Sequence, residues 1–329
     1  MDLGAADFLQ DTLVWDNHAC MPLRPGDPTF LPQLYDVHQA GVDVVSLNIG
    51  FGPGTLEDHV RVLASFRRWV RQQGDPFVLP RSVDDIDRAN AAGQLSIIFD
   101  IEGLSPFDQG DFGLLEMFAD LGVKWALFAY NRNNEAGGGC MDDDPGLSPH
   151  GLSLLREMER VGIVPCCSHT GHRTARDVLK TARGPVIFSH SNASAVFAHD
   201  RNIPDDLAKA CAETGGVVGI NGLGPFLGSD DLADAMARHI DHFVQLIGPQ
   251  HVGVSLDYVF DQHELEEYLR TMPDIFPNED ALQSALNLAP PSTIAPLTEK
   301  LRTIGYTDDM LASILGGNWR RVAIDCWKS

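Results

Sequence analysis

Leu95-Ser96-Ile97-Ile98-Phe99-Asp100-Ile101-Glu102-Gly103 is apolar through most of its length and ends on carboxylates. A run that is apolar on both alternating faces marks a strand covered on both sides, as in a parallel sheet between helices. Working outward, runs of the same kind cover Leu13–His18, Val42–Ile49, Trp125–Asn131, Ile163–His169, Val186–Asn192, Val217–Gly222 and His251–Tyr258. Between most of them lie segments of helical period: Leu56–Gln73, Gly151–Val161, Arg173–Ala182, Asp205–Thr214 and Leu232–Ile247. Strands alternating with amphipathic helices in this way predict an α/β fold. Eight such units predict closure into a (β/α)₈ TIM barrel.

Nothing divides the chain. The 329 residues suit one large barrel domain spanning 1–329, and no low-complexity linker interrupts them. Glu135–Gly146 reads as a long loop after the fourth strand. Phe260–Thr298, with Pro273, Pro277, Pro290, Pro291 and Pro296, reads as an irregular insertion around 260–298. It either covers the barrel mouth with short helices or runs through solvent.

Composition narrows the function. The chain is 44% hydrophobic and 21% charged, with a formal net charge of −22. Such a surface repels phosphate backbones and anionic lipid, so neither nucleic acid nor membrane is an expected partner. The six cysteines show no dense disulfide spacing, and Cys166 and Cys167 are adjacent, so an oxidising compartment is not implied. Met1–Gln10 has no basic region of the kind that opens a signal peptide, and no stretch is apolar for about 18 residues. The cytoplasmic compartment is the default expectation. A homo-oligomer is compatible with all of this.

Polar residues fall where barrel chemistry takes place, at the C-terminal ends of the strands. His18 ends the first predicted strand, Glu102 the third and His169 the fifth. Tyr130, His190 and Asp257 lie near the ends of the fourth, sixth and eighth. A single histidine at a strand end is ordinarily a satisfied polar group, and a single carboxylate a backbone acceptor. Three histidines and two carboxylates at equivalent ends of five strands suit zinc or a similar divalent ion instead. A carboxylate between two such ions can bridge them, and the pair can activate water and polarise a carbonyl.

At these residues the chain resembles the membrane (renal-type) dipeptidases of the amidohydrolase superfamily. The resemblance rests on Trp15-Asp16-Asn17-His18, Asp100-Ile101-Glu102-Gly103 and Gly151-Leu152 with Arg156 to Gly162. It continues through Ser168-His169, Ser189-His190-Ser191-Asn192, Arg201 to Asp206, Val252-Gly253-Val254 and Leu315 to Val322. The resemblance implies a metal-dependent amidohydrolase-type barrel holding one or two Zn²⁺ ions. It implies that His18, Glu102, His169 and His190 are ligands, with Glu102 bridging. It implies that Asp257 takes the proton of the hydrolytic water and that Arg201 pairs with the carboxylate of a dipeptide or other small-molecule substrate.

Three positions depart from the family. Cys20 stands where the family has its second first-strand ligand, an aspartate. Tyr130 stands where it has a histidine that polarises the scissile carbonyl, and Cys166 where it usually has aspartate. Cys20 has three readings: a thiolate metal ligand, an inert packed thiol or a nucleophile. Tyr130 is either a hydrogen-bond donor to a developing oxyanion, with a catalytic and substrate-binding role, or an aromatic wall. Arg132 is a further candidate donor for the carbonyl, with a side chain that the sequence does not place. The expected function is therefore dipeptidase-like amide hydrolysis. The rivals are hydrolysis of a non-peptide amide or lactone, decarboxylation, and a ligand-binding barrel without catalysis.

Overall fold

The computed structural model describes residues 5–52, 54–107, 112–271 and 286–328. The strands are Trp15–Cys20, Val44–Phe51, Leu95–Glu102, Val123–Leu127, Val164–Cys166, Val218–Asn221 and Val252–Ser255, the last followed by Tyr258–Val259. Every paired neighbour is parallel. The sixth position is held by residues 187 and 188, through parallel bridges Cys166↔Ile187 and Phe188↔Val218. Tyr258 and Val259 pair back onto Ala19 and Cys20, so the eighth strand meets the first. Hydrogen-bonded backbone thus runs round the whole ring, with the short strand Phe77–Val78 beside the start of the third. The fold is a TIM barrel.

Two helices match the predicted bounds, Leu56–Gln73 and Leu232–Ile247. The first opens on a capping box between Thr55 and Asp58, the second on Asp231 accepting from the Asp234 amide. Such caps contribute about 1 kcal/mol each. Pro149–Val161, His172–Thr181 and Asp205–Glu213 fill the other predicted helical segments.

The fourth and fifth strands stop well short of their predicted ends, the predicted sixth, Val186–Asn192, is reduced to the bridges at residues 187 and 188, and the seventh and eighth are trimmed to Val218–Asn221 and Val252–Ser255. The fourth ends at Leu127 and the fifth at Cys166, so Tyr130 and His169 lie in the loops beyond them. Those loops turn through left-handed backbone at Asn131 (φ 59°) and His169 (φ 61°), which no strand continues. Of the predicted insertion, Gln262–Arg270 is a helix and Ile294–Thr303 another; residues 272–285 lie outside the described part.

The strand period of two sorts side chains between two buried clusters. On the third strand, Ile97, Phe99 and Ile101 face the helices within the larger cluster. Ile98 faces inward, joining Trp15, Val44, Trp125, Leu127 and Ile187. The Trp319 indole fills the same interior. It packs where a Cβ on Gly253 would lie 2.6 Å away and one on Gly219 2.8 Å away, so both positions need glycine. Its Nε1 donates to the Val254 carbonyl at 3.0 Å. Asp100 and Glu102 share the inward face of Ile98, which carries two carboxylates into the barrel.

Candidate metal centre

Glu102 Oε1 is the focus. His18 Nε2, His169 Nε2 and His190 Nε2 approach it at 3.5, 3.2 and 3.3 Å. The other ring nitrogens are turned toward acceptors. His169 Nδ1 donates to Asn131 Oδ1 at 2.7 Å. His18 Nδ1 faces Asp100 Oδ1 at 3.2 Å, outside good hydrogen-bond alignment. Asp100 is itself held by Ser46 Oγ at 2.5 Å and Asn48 Nδ2 at 3.2 Å. His190 Nδ1 meets Ser189 Oγ at 2.9 Å, and Cys166 Sγ donates to that hydroxyl at 3.1 Å. With their protons on Nδ1, the imidazoles point Nε2 lone pairs at one another and at a carboxylate. His169 Nε2 and His190 Nε2 are only 2.8 Å apart. Glu102 Oε1 is buried and accepts no hydrogen bond among the described residues. Lone pairs converging on an anion make a set of donors that fits a cation, with the far nitrogens oriented by neighbours as in metal sites generally.

Cys20 and Asp257 extend the set. Cys20 Sγ lies 3.4 Å from His18 Nε2 and 3.8 Å from Asp257 Oδ1. Asp257 Oδ1 is 3.4 Å from His18 Nε2, and Oδ2 accepts from Asn221 Nδ2 at 2.6 Å. Three groups of possible ligands have their ligating atoms within 4.8 Å of one another: His18, Cys20 and Glu102; Glu102, His169 and His190; and His18, His190 and Asp257. Glu102 belongs to the first two. Burial pushes Glu102 up to about 8 and the Cys20 thiol up to about 12, raises Asp257, and depresses His169 and His190. The carboxylate and thiol shifts penalise negative charge that a divalent cation would offset, and the depressed histidines stay neutral with a lone pair to offer one.

A pocket of about 130 Å³ opens onto this cluster, lined among others by Tyr130, Arg201, Phe226, Leu265 and Tyr268. Arg201 is 3% exposed and lies 5.4 Å from the Phe226 ring. Its Nε and Nη2 have no hydrogen-bond partner among the described residues. Tyr130 stacks on His169 at 4.3 Å and lines the pocket beside Tyr268. The structure places the Arg132 side chain, which the sequence left open. It is mostly exposed and pairs with Asp142 at 2.8 Å.

The six predicted residues His18, Cys20, Glu102, His169, His190 and Asp257 therefore come together, with Tyr130 and Arg201 on the pocket wall. Sequence reasoning assigned no role to Asp100, Asn131, Ser189 and Asn221, which orient them. Asn221 carried a usable signal, since it is a polar residue at the end of an apolar strand.

The profile of the membrane dipeptidase family, peptidase family M19, matches residues 39–275. A protein of Aspergillus oryzae named Dipeptidase aclJ is 31% identical over 280 residues, 82% of this chain and 61% of its own length. The chain belongs to the membrane dipeptidase family. The matched region spans less than two thirds of that fungal relative. An amidohydrolase structure from Pseudomonas aeruginosa superposes with a TM-score of 0.85 at 25% identity, covering 99% of both chains. A metallopeptidase from Rhodobacter sphaeroides, liganded with a phosphinate mimic of L-Ala-D-Ala, shares the fold. Its TM-score is 0.78 at 21% identity, covering 96% of this chain and all of its own.

The three positions expected to depart from the family pattern, Cys20, Tyr130 and Cys166, all lie at the site, and Cys166 donates to Ser189, which meets His190 Nδ1.

Proposed function

We propose that this family member is a zinc-dependent hydrolase that cleaves the amide bond of a dipeptide or a similar small substrate bearing a carboxylate. The observation that carries the reading is the convergence of three Nε2 atoms on the partnerless Glu102 Oε1. His18, Cys20 and Glu102 would hold one ion, and Glu102, His169 and His190 a second. Zinc there would lower the pKa of water and polarise a carbonyl. Asp257, buried and fixed by Asn221, is the base that takes the water's proton and returns it to the leaving amine. Arg201 lines the pocket, its buried Nε and Nη2 lack a hydrogen-bond partner among the described residues, and a buried guanidinium without a partner is costly. A substrate carboxylate supplies that partner in bidentate form. Tyr130, Leu265 and Tyr268 give the pocket an apolar and aromatic wall.

The test compares dipeptides with free and amidated C-termini in wild type and Arg201→Ala. The reading expects the free acid to lose about 10²-fold or more in kcat/KM, with the amide scarcely changed. Equal losses on both substrates would remove Arg201 from carboxylate recognition. A second reading keeps the site but changes the bond cleaved, to a non-peptide amide or lactone. It is favoured by Tyr130, a neutral phenol that lines the pocket and carries no positive charge.

A further inference from the structure

A cleft of about 690 Å³ opens at the opposite end of the barrel, beside Val123 at the start of the fourth strand. Its wall carries Arg67, Arg71, Arg81, Lys124 and Lys328, against one carboxylate, Asp120. That is an excess of four positive charges in a chain of net charge −22. Elsewhere cations find carboxylates: Arg61, Arg88, Arg160, Arg238 and Arg320 each lie within an ion pair. Among the described residues, none of the five cleft cations has a carboxylate oxygen within 4 Å.

Two of the five are fixed by the fold. Arg67 Nη1 donates to the Leu121 carbonyl. Lys124, 7% exposed, donates to the Arg81 carbonyl at 3.1 Å and lies 4.4 Å from the Trp327 ring. Burial pushes the Lys124 ammonium down to about 8, with Asp120 and Asp85 opposing. Asp85 is already engaged by the Arg81 and Ser82 amides and by Arg88. Burial lowers Arg67, and the neighbouring Arg71 and Arg81 lower it further. The cleft thus concentrates positive charge that the fold leaves unbalanced. Low-dielectric walls focus such a field on an incoming anion.

We propose that this cleft binds a small phosphate-bearing polyanion, at a site separate from the metal centre. Guanidinium forks match phosphate oxygens in pairs, and the lysines add point charges. Catalysis in barrels belongs to the other end, so the ligand here is not the substrate.

The experiment is calorimetric titration of tripolyphosphate and of citrate into metal-loaded protein, wild type and R71A/R81A. Both arginines are exposed, and melting curves check that the variant folds. Arg71→Ala and Arg81→Ala, made singly, supply the comparison should the double variant not fold. The proposal expects saturable tripolyphosphate binding that weakens at least tenfold in the double variant, with amide hydrolysis unchanged. Absent saturation, or equal affinity in all proteins, overturns it, the latter meaning capture at the metals. Citrate binding more tightly than tripolyphosphate overturns the phosphate assignment. Loss of hydrolysis in a folded variant overturns the separation of the two sites.

Discussion

His169 donates from Nδ1 to Asn131 Oδ1 at 2.7 Å, and both residues hold left-handed backbone, at φ 61° and 59°. With Asp257, at 55°, they are the non-glycine positions of positive φ among the described residues, and all three line the pocket over the metal centre. Such backbone costs on the order of 1–2 kcal/mol per residue and is held by its surroundings. Asn131→Gly should keep the backbone and remove the acceptor. Metal affinity should fall about 10–100-fold, as for other lost orienting partners, with little change in melting temperature. Asn131→Ala should lose the same affinity and also stability. Chelator competition and thermal melts separate the two effects, and unchanged affinity in the glycine variant would remove Asn131 from the site.

Asp257→Asn should retain metal and lower kcat about 10²–10⁴-fold, because the amide keeps the contact with Asn221 but cannot take a proton. Metal analysis beside steady-state kinetics checks this. Loss of metal would make Asp257 a ligand rather than the base.

Cys20 should resist thiol reagents in the loaded protein and react once the metal is chelated, since coordination ties up the thiolate. Cys20→Ser should weaken one metal site, and Cys20→Asp should restore it with the family's ligand. Equal reactivity with and without metal, together with full metal content in the serine variant, would reduce Cys20 to a packed thiol.

His239 gives the fold an acid limit away from the metal centre. Its Nδ1 accepts from the Ala193 amide at 3.1 Å, and burial holds its pKa down to about 4. The unfolded chain protonates this histidine near 6.5. A depressed histidine therefore contributes stability that is complete above about pH 6.5 and lost as pH falls toward 4. The loss is on the order of 2–3 kcal/mol. His239→Asn, which places an oxygen near Nδ1, should flatten this part of the stability curve. A variant with the same pH dependence as wild type would assign the acid limit to other groups.

The barrel was legible because apolar runs and helical periods report burial directly. Leu56–Gln73 and Leu232–Ile247 coincide with the observed helices residue for residue. The overrun of the fourth and fifth strands has a physical cause. Trp125–Ala129 and Ile163–Cys167 stay apolar past the last ladder bond, and hydropathy does not register a left-handed turn at a residue other than glycine. Ligand-type residues stood out as ionisable groups at strand ends. Their orienting partners did not. Asp100 reads as one more alternating polar residue in a strand, and Asn131 reaches His169 across 38 positions of sequence. Arg132 beside it turns outward to Asp142, an orientation that only the folded loop decides.

The central claim is that Glu102, His169 and His190 hold a catalytic metal. Zinc content per chain, measured on protein purified without a histidine tag, tests it most directly in wild type, His169→Ala and His190→Ala. The account predicts one or two equivalents in wild type, at least one fewer in each folded variant, and hydrolysis lost with them. Full metal content in both variants would contradict it.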